Sequence, residues 1–147
     1  MTPADLVAAF RDALYARDWA RIRTFFCDDS VYLDVPVGPA VAAKGPDGIV
    51  ARLKAALDGL AGFDGDPIRT VAQGDTVISE HHETWRWETG ETVTIPIVSV
   101  QVIRSGVIII WKDYWDYQTL ASAAPEGWQQ QLAQADLSWM FDATGIR

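Results

Sequence analysis

Three stretches of the chain place ionisable side chains where apolar ones would be expected: VISEHHETWRW (77–87), VIIIWKDYWD (107–116) and SVYLDVP (30–36). Each is rich in β-branched or aromatic residues and reads as a strand, on which successive side chains point to opposite faces. In the first, Val77, Ser79, His81, Glu83, Trp85 and Trp87 share a face. Its valine and two tryptophans make it the buried one, which takes His81 and Glu83 inside. In the second, Asp113 stands among Val107, Ile109, Trp111 and Trp115, while Lys112 and Asp116 lie on the more polar side. In the third, Tyr32 and Asp34 fall together. A carboxylate buried without partners is costly, so it must be hydrogen-bonded, paired or neutralised by a raised pKa. Carboxyls held that way exchange protons near neutrality, which is general acid–base chemistry without a cofactor.

His81 and Glu83, on a nearby strand, are the candidate partners of Asp113, and Trp85, Trp111 and Trp115, flanking buried acids, are candidate pocket wall. A structural account, in which each polar group is satisfied inside an ordinary core, competes for any one of these residues. Three strands converging on one apolar face favour a cavity. A hairpin slipped by one residue would instead bring Glu80 and His82 inward, because one residue of slip flips a whole face. The adjacent His81 and His82 cannot chelate one ion from a strand, and His81 with Glu83 and Asp113 lacks the second histidine usual in iron sites, so no metal is expected. Cys27 precedes two aspartates that oppose thiolate formation. No glycine-rich phosphate loop and no G-x-S-x-G elbow occurs.

These strands need elements to hold them. Thr2-Pro3-Ala4-Asp5 opens a helix, with Leu6, Ala9, Phe10, Ala13 and Leu14 at helical spacing. Asp18 caps a second, short helix bearing Trp19, Ile22 and Phe26. A third, over 46–60, presents Ile49, Val50, Leu53, Ala56 and Leu57 after a loop at 39–45. Beyond Gly65 the period becomes two, giving strands at about 67–73, 76–88, 91–104 and 107–117. Gly74-Asp75, Thr89-Gly90 and Ser105-Gly106 join them into an antiparallel meander. Helices first and strands afterwards indicate an α+β fold. The segment 125–141, with Trp128, Leu132, Ala135 and Trp139, reads as a final helix that covers the sheet or closes a pocket.

At 147 residues the chain has the length of one domain, so 1–147 is read as a single unit. A net charge of −8 repels phosphate backbones and anionic membranes, so neither nucleic acid nor membrane is an expected partner. No apolar run reaches the roughly 20 residues that cross a bilayer, and the N-terminus does not read as a signal peptide. One cysteine excludes an internal disulfide and suits the cytoplasm.

Helices followed by a curved sheet that ends in Trp111-Lys112-Asp113-Tyr114-Trp115-Asp116 resemble the nuclear transport factor 2-like fold. The nearest branch is that of SnoaL-like polyketide cyclases and limonene-epoxide hydrolases, over about residues 4–120. The strand Ile95-Pro96-Ile97-Val98-Ser99-Val100 resembles the one preceding that signature. The resemblance implies a cone of mixed, mostly antiparallel sheet wrapped by the N-terminal helices, with a C-terminal extension from about 121. It also implies an aspartate base at Asp113 beside Trp111, with a water or substrate oxygen held at Tyr32 and Asp34. On that reading His81 hydrogen-bonds and orients Asp113 and supplies compensating charge, and Glu83, lifted by burial, is the general acid. In the epoxide hydrolases an arginine and an acid stand where His81 and Glu83 are, and an asparagine where Asp34 is. Histidine titrates near neutrality and lacks arginine's permanent fork, which moves the expectation towards cyclase, isomerase or dehydratase chemistry. The expected substrate is a small hydrophobic molecule of polyketide, terpenoid or steroid type. Epoxide hydration and a non-catalytic binding or dimerisation module are the alternatives. Ile108, Ile110 and Tyr114 on the outer face suit a homodimer.

Overall fold

A computed structural model describes all 147 residues. Helix α1 (Pro3–Tyr15) begins where the sequence places it: the Thr2 hydroxyl accepts from the Asp5 amide at 3.1 Å and the Asp5 carboxylate from the Thr2 amide at 2.9 Å. It buries Leu6, Val7, Phe10, Ala13 and Leu14. Asp18 caps the short α2 (Trp19–Arg23) by accepting from the Arg21 amide. Strand β1 (Val31–Asp34), strand β2 (Ala42–Lys44) and α3 (Gly45–Leu57) follow. The meander is β3 (Gly62–Gln73), β4 (Thr76–Arg86), β5 (Thr92–Arg104) and β6 (Val107–Tyr114).

Seven strands form one sheet in the order β3-β4-β5-β6-β1-β2-β7, the last being the two-residue β7 (Met140–Phe141). Every pairing is antiparallel except β1 with β6, which is parallel and sets Tyr32 beside Trp111 and Asp34 beside Asp113. The fold is therefore α+β with a mixed, mostly antiparallel curved sheet, as expected. Its concave face, α1 and α3 enclose one large apolar cluster.

Three expectations need correction. The loop at 39–45 contains β2, because residues 42–44 pair with β1 on one side and β7 on the other. After a short helix α4 (Tyr117–Ala123), the single helix expected over 125–141 is instead α5 (Glu126–Gln134) followed by β7. Asp136 ends the helical run by turning back to accept from the Ser138 amide and hydroxyl. Ile108 is not on the outer face: a register shift between Val102 and Ile103 on β5 turns it inward, where it is fully buried and its amide donates to the Phe25 carbonyl.

Candidate active site

Strand β4 has the expected parity. Val77, Ser79, His81, Glu83 and Trp85 are buried, while Ile78 and Arg86 are exposed. Across β5, Glu83 faces Ile95, His81 faces Ile97 and Ser79 faces Ser99; on β6, Ser99 faces Asp113. Asp113 thus lies between Ser99 and Asp34.

Around it the donors are all neutral. Oδ1 accepts from Trp111 Nε1 at 2.7 Å and Ser99 Oγ at 2.5 Å, and Oδ2 from the Tyr32 hydroxyl at 3.4 Å. Burial raises the Asp113 pKa to about 7, the negative charge of Asp34 pushes the same way, and the three hydrogen bonds offset part of the rise. Glu83 accepts from Tyr15 Oη at 3.3 Å and Trp85 Nε1 at 3.4 Å. Burial and then the charge of Asp113 lift it to about 8. Tyr15 reaches it only because Gly65, opposite Glu83 on β3, has no Cβ: a methyl there would overlap the Tyr15 ring. Tyr32 stacks on Trp111 with ring centroids 3.8 Å apart. Its pKa is raised well above the ordinary value by burial and by Asp34, so it stays protonated and donates.

Asp34 differs from the other two acids. Its Oδ1 accepts from Trp115 Nε1 at 2.9 Å, and its Oδ2 is ion-paired with Arg52 Nη2 at 2.5 Å.

These groups border a cavity of about 340 Å³. Asp113, Glu83, Asp34, Tyr32, Trp85, Trp111 and Trp115 all line it, and so does Arg52. The C-terminal segment forms part of its wall: Trp128 packs edge-on against Trp85 and Trp87 and donates to the Ala56 carbonyl, and Trp139 is a further wall residue.

His81 does not take the place expected of it. It faces inward, but β5 lies between β4 and β6, which separates it from Asp113 by two strand spacings, roughly 10 Å. Ser99 occupies the hydrogen-bonding position instead. Nor does His81 supply compensating charge: burial, followed by the nearby Arg11 cation, lowers its pKa to about 4. Its ring borders a second chamber, of about 20 Å³, behind Glu83 and Asp113, lined also by Ser99, Gln101, Arg11 and Tyr15. His82, on the other face, is half-buried. No cluster of three or more His, Cys, Asp or Glu side chains has a metal-holding arrangement.

Sequence reasoning missed Arg52, Ser99 and Tyr15. Arg52 follows Ile49 by three positions and precedes Ala56 by four, so it interrupts the apolar stripe of α3, and that interruption was the available signal. Ser99, together with Gln101, likewise interrupts the inward run Ile95, Ile97, Ile103. Nothing in the period of α1 marks Tyr15, its last residue.

Comparison with known proteins gives one family. The model of the SnoaL-like domain matches residues 7–111. Among solved structures, a Shewanella putrefaciens CN-32 protein described as a SnoaL-like polyketide cyclase superposes with a TM-score of 0.75 at 21% identity, covering 84% of this chain and 96% of that one. A counterpart from Shewanella denitrificans OS-217, described in the same way, gives 0.75 at 19% identity, over 82% and 95%. An LEH-like epoxide hydrolase of M. tuberculosis gives 0.70 at 24%, over 89% and 92%. At these identities the structural likeness establishes the fold.

Proposed function

The chain belongs to the SnoaL-like domain family, and we propose that it is a cofactor-independent acid–base enzyme that moves protons on a small hydrophobic molecule. The observation behind this reading is a pair of carboxyls, Asp113 and Glu83, that border one apolar cavity with no cation bonded to either. Asp113 is the general base. Its three neutral donors fix its orientation and stabilise the anion just enough for ionisation near neutrality. Glu83, the more strongly shifted acid, holds a proton when Asp113 has lost its own and returns it to the product. Trp85, Trp111 and Trp115 exclude water around the reacting atoms, and neutral His81 lines the small chamber behind Glu83. Isomerisation, dehydration or cyclisation next to a carbonyl is the primary reading.

Epoxide hydration is the second reading, favoured by Tyr32 and Asp34 standing beside Asp113, where a water could be held against the base. Neutral His81 weighs against it, since no permanent cation stands in that position. Turnover of a panel of polycyclic ketones and epoxides separates the two. In either case kcat/KM is expected to rise with pH through about 7, as Asp113 ionises, and to fall through about 8, as Glu83 does. Asp113→Asn is expected to lower kcat by about a thousandfold or more. Full turnover in that variant would discard the mechanism, and ligand binding with no turnover in either protein would make this a carrier.

Outside the cone, Val71, Ile78, Val98 and Tyr114 form an exposed apolar face, which we assign to a second copy of the chain. With Ile108 turned inward, exposed Tyr114 and half-buried Ile110 remain of the contact expected on β6. Light scattering of Tyr114→Arg should show a monomer; an unchanged mass would move the contact elsewhere. No helix is long and apolar enough to cross a membrane, and the lone Cys27 suits a reducing cytoplasm, where we place the protein.

A further inference from the structure

Arg52 is the only cationic side chain lining the main cavity. Its guanidinium is held between two rings, 5.9 Å from the centroid of Tyr32 and 5.5 Å from that of Trp139. It grips Asp34 through Nη2 alone, although arginine–carboxylate pairs favour a two-pronged grip. The other Asp34 oxygen accepts from the Trp115 indole at 2.9 Å. Arginine carries five N–H donors in a planar fork. Here only one nitrogen has a protein acceptor, and the side chain keeps 14% of its surface exposed at the cavity wall. The donors left over are not sealed off from the cavity, so a ligand oxygen entering it can take them.

We propose that Arg52 is a substrate-binding residue that takes the oxygen of an enolisable carbonyl or enolic hydroxyl, on a small ring system whose acidic C–H is directed at Asp113. This assignment deepens the acid–base reading above and rests on it. The cavity, about 340 Å³, is at the small end for ligand pockets, so the ring system is small too. When the Asp113 carboxylate removes the proton, the C–H electron pair becomes a C=C bond and the carbonyl π pair moves onto oxygen. The charge growing there meets a fixed cation and its N–H groups, an interaction stronger in the transition state than in the ground state. Glu83 then delivers its proton to carbon or oxygen, and Asp113 passes the one it gained to Glu83 or to water. No electrons are lost or gained overall. Asp34 neutralises Arg52 in the empty cavity and keeps the fork in place.

The test uses two ligands that differ only in an enol-like hydroxyl, 2-naphthol and naphthalene, with binding read from quenching of the tryptophan emission of the full chain. Wild type is expected to prefer 2-naphthol by about tenfold. Arg52→Gln with Asp34→Asn, which removes the cation together with its counter-charge, is expected to bring that ratio to about one while naphthalene affinity holds, showing the cavity intact. Asp34→Asn alone is expected to keep or raise the ratio, since it frees more of the fork. A wild-type ratio near one overturns the proposal without any variant having to fold. A ratio retained in the double variant, or lost in Asp34→Asn alone, overturns it as well. Should the double variant bind neither ligand, Arg52→Gln alone is judged on the same ratio. Failure here is distinct from failure of the catalytic reading: that is decided by turnover in Asp113→Asn, which leaves the naphthol preference standing.

Discussion

The two faces of the sheet treat their carboxylates in opposite ways. On the outside, Asp64 stands beside Arg86, Glu80 beside Arg69 and Asp75 beside Arg104, all in water-exposed positions. On the inside, Asp113 and Glu83 are bonded only by hydroxyls and indoles, and the one cavity cation is committed to Asp34. Exposed ion pairs add little to stability because water already solvates both charges. An inner acid without a cation instead meets the full penalty of burial, and its pKa rises. The inner pair is therefore tuned for proton exchange at the expense of the fold, and the outer pairs are close to neutral for both.

The largest test of that contrast is Asp113→Asn, now read as stability. The ordinary carboxyl pKa of Asp113 is near 3.8, and in the folded protein it is about 7. Between these values the unfolded chain has lost the proton and the folded one has kept it, so stability falls as pH rises from about 4 to about 7 and stays reduced above. The asparagine variant has no such loss. It should equal wild type near pH 4 and exceed it at pH 9 by on the order of 2 kcal/mol, measured by urea unfolding at both pH values. His81, lowered to about 4, contributes the opposite slope between about 4 and 6.5 in both proteins, and so cancels from the difference. A variant that unfolds more easily than wild type at pH 9 would mean that the site supports the fold.

Next in size is the placement of a cation on the inner face. His81→Arg puts a permanent charge two residues from Glu83, at the edge of the small chamber that Asp113 also borders. A nearby positive charge favours both carboxylates, so both limbs of the pH–rate profile should move down, by about one unit. Limbs that stay in place would show that the titrating groups are not these two acids.

How much of this was legible in the sequence depends on which geometric quantity was asked for. Parity along β4 and β6 gave the facing of Glu83, His81 and Asp113, because a strand's period is two whatever its neighbours are. Parity says nothing of lateral distance. His81 and Asp113 share a face yet are separated by β5, and the residue that reaches Asp113 is Ser99, one of two polar residues, with Gln101, on the inward face of that strand. The inward turn of Ile108 depends on a register shift that leaves no mark in the composition of its strand. The break that Arg52 makes in the apolar stripe of α3 marks it locally, but its pairing with Asp34, 18 positions away, follows from no local period and shows only once α3 is laid over β1.

The smallest expected effect is on the outer face, and it is informative because it is small. Arg86 pairs with Asp64 at side-chain exposures of 45% and 63%, and its side chain lies over Gly62 at the start of β3. Arg86→Gln removes the charge together with the guanidinium that lies over this glycine, and keeps the first part of the stem. Stability should change by no more than about 0.5 kcal/mol, and both limbs of the pH–rate profile should stay where they are, because Arg86 points away from Glu83 across the pleat. Raising the salt concentration should erase even that difference, since exposed pairs are screened within about 10 Å at 0.1 M. A shift of the alkaline limb in Arg86→Gln would mean that the outer charges reach through the sheet, and Glu83 would then owe its position on the pH scale to the whole sheet and not to the cavity around it.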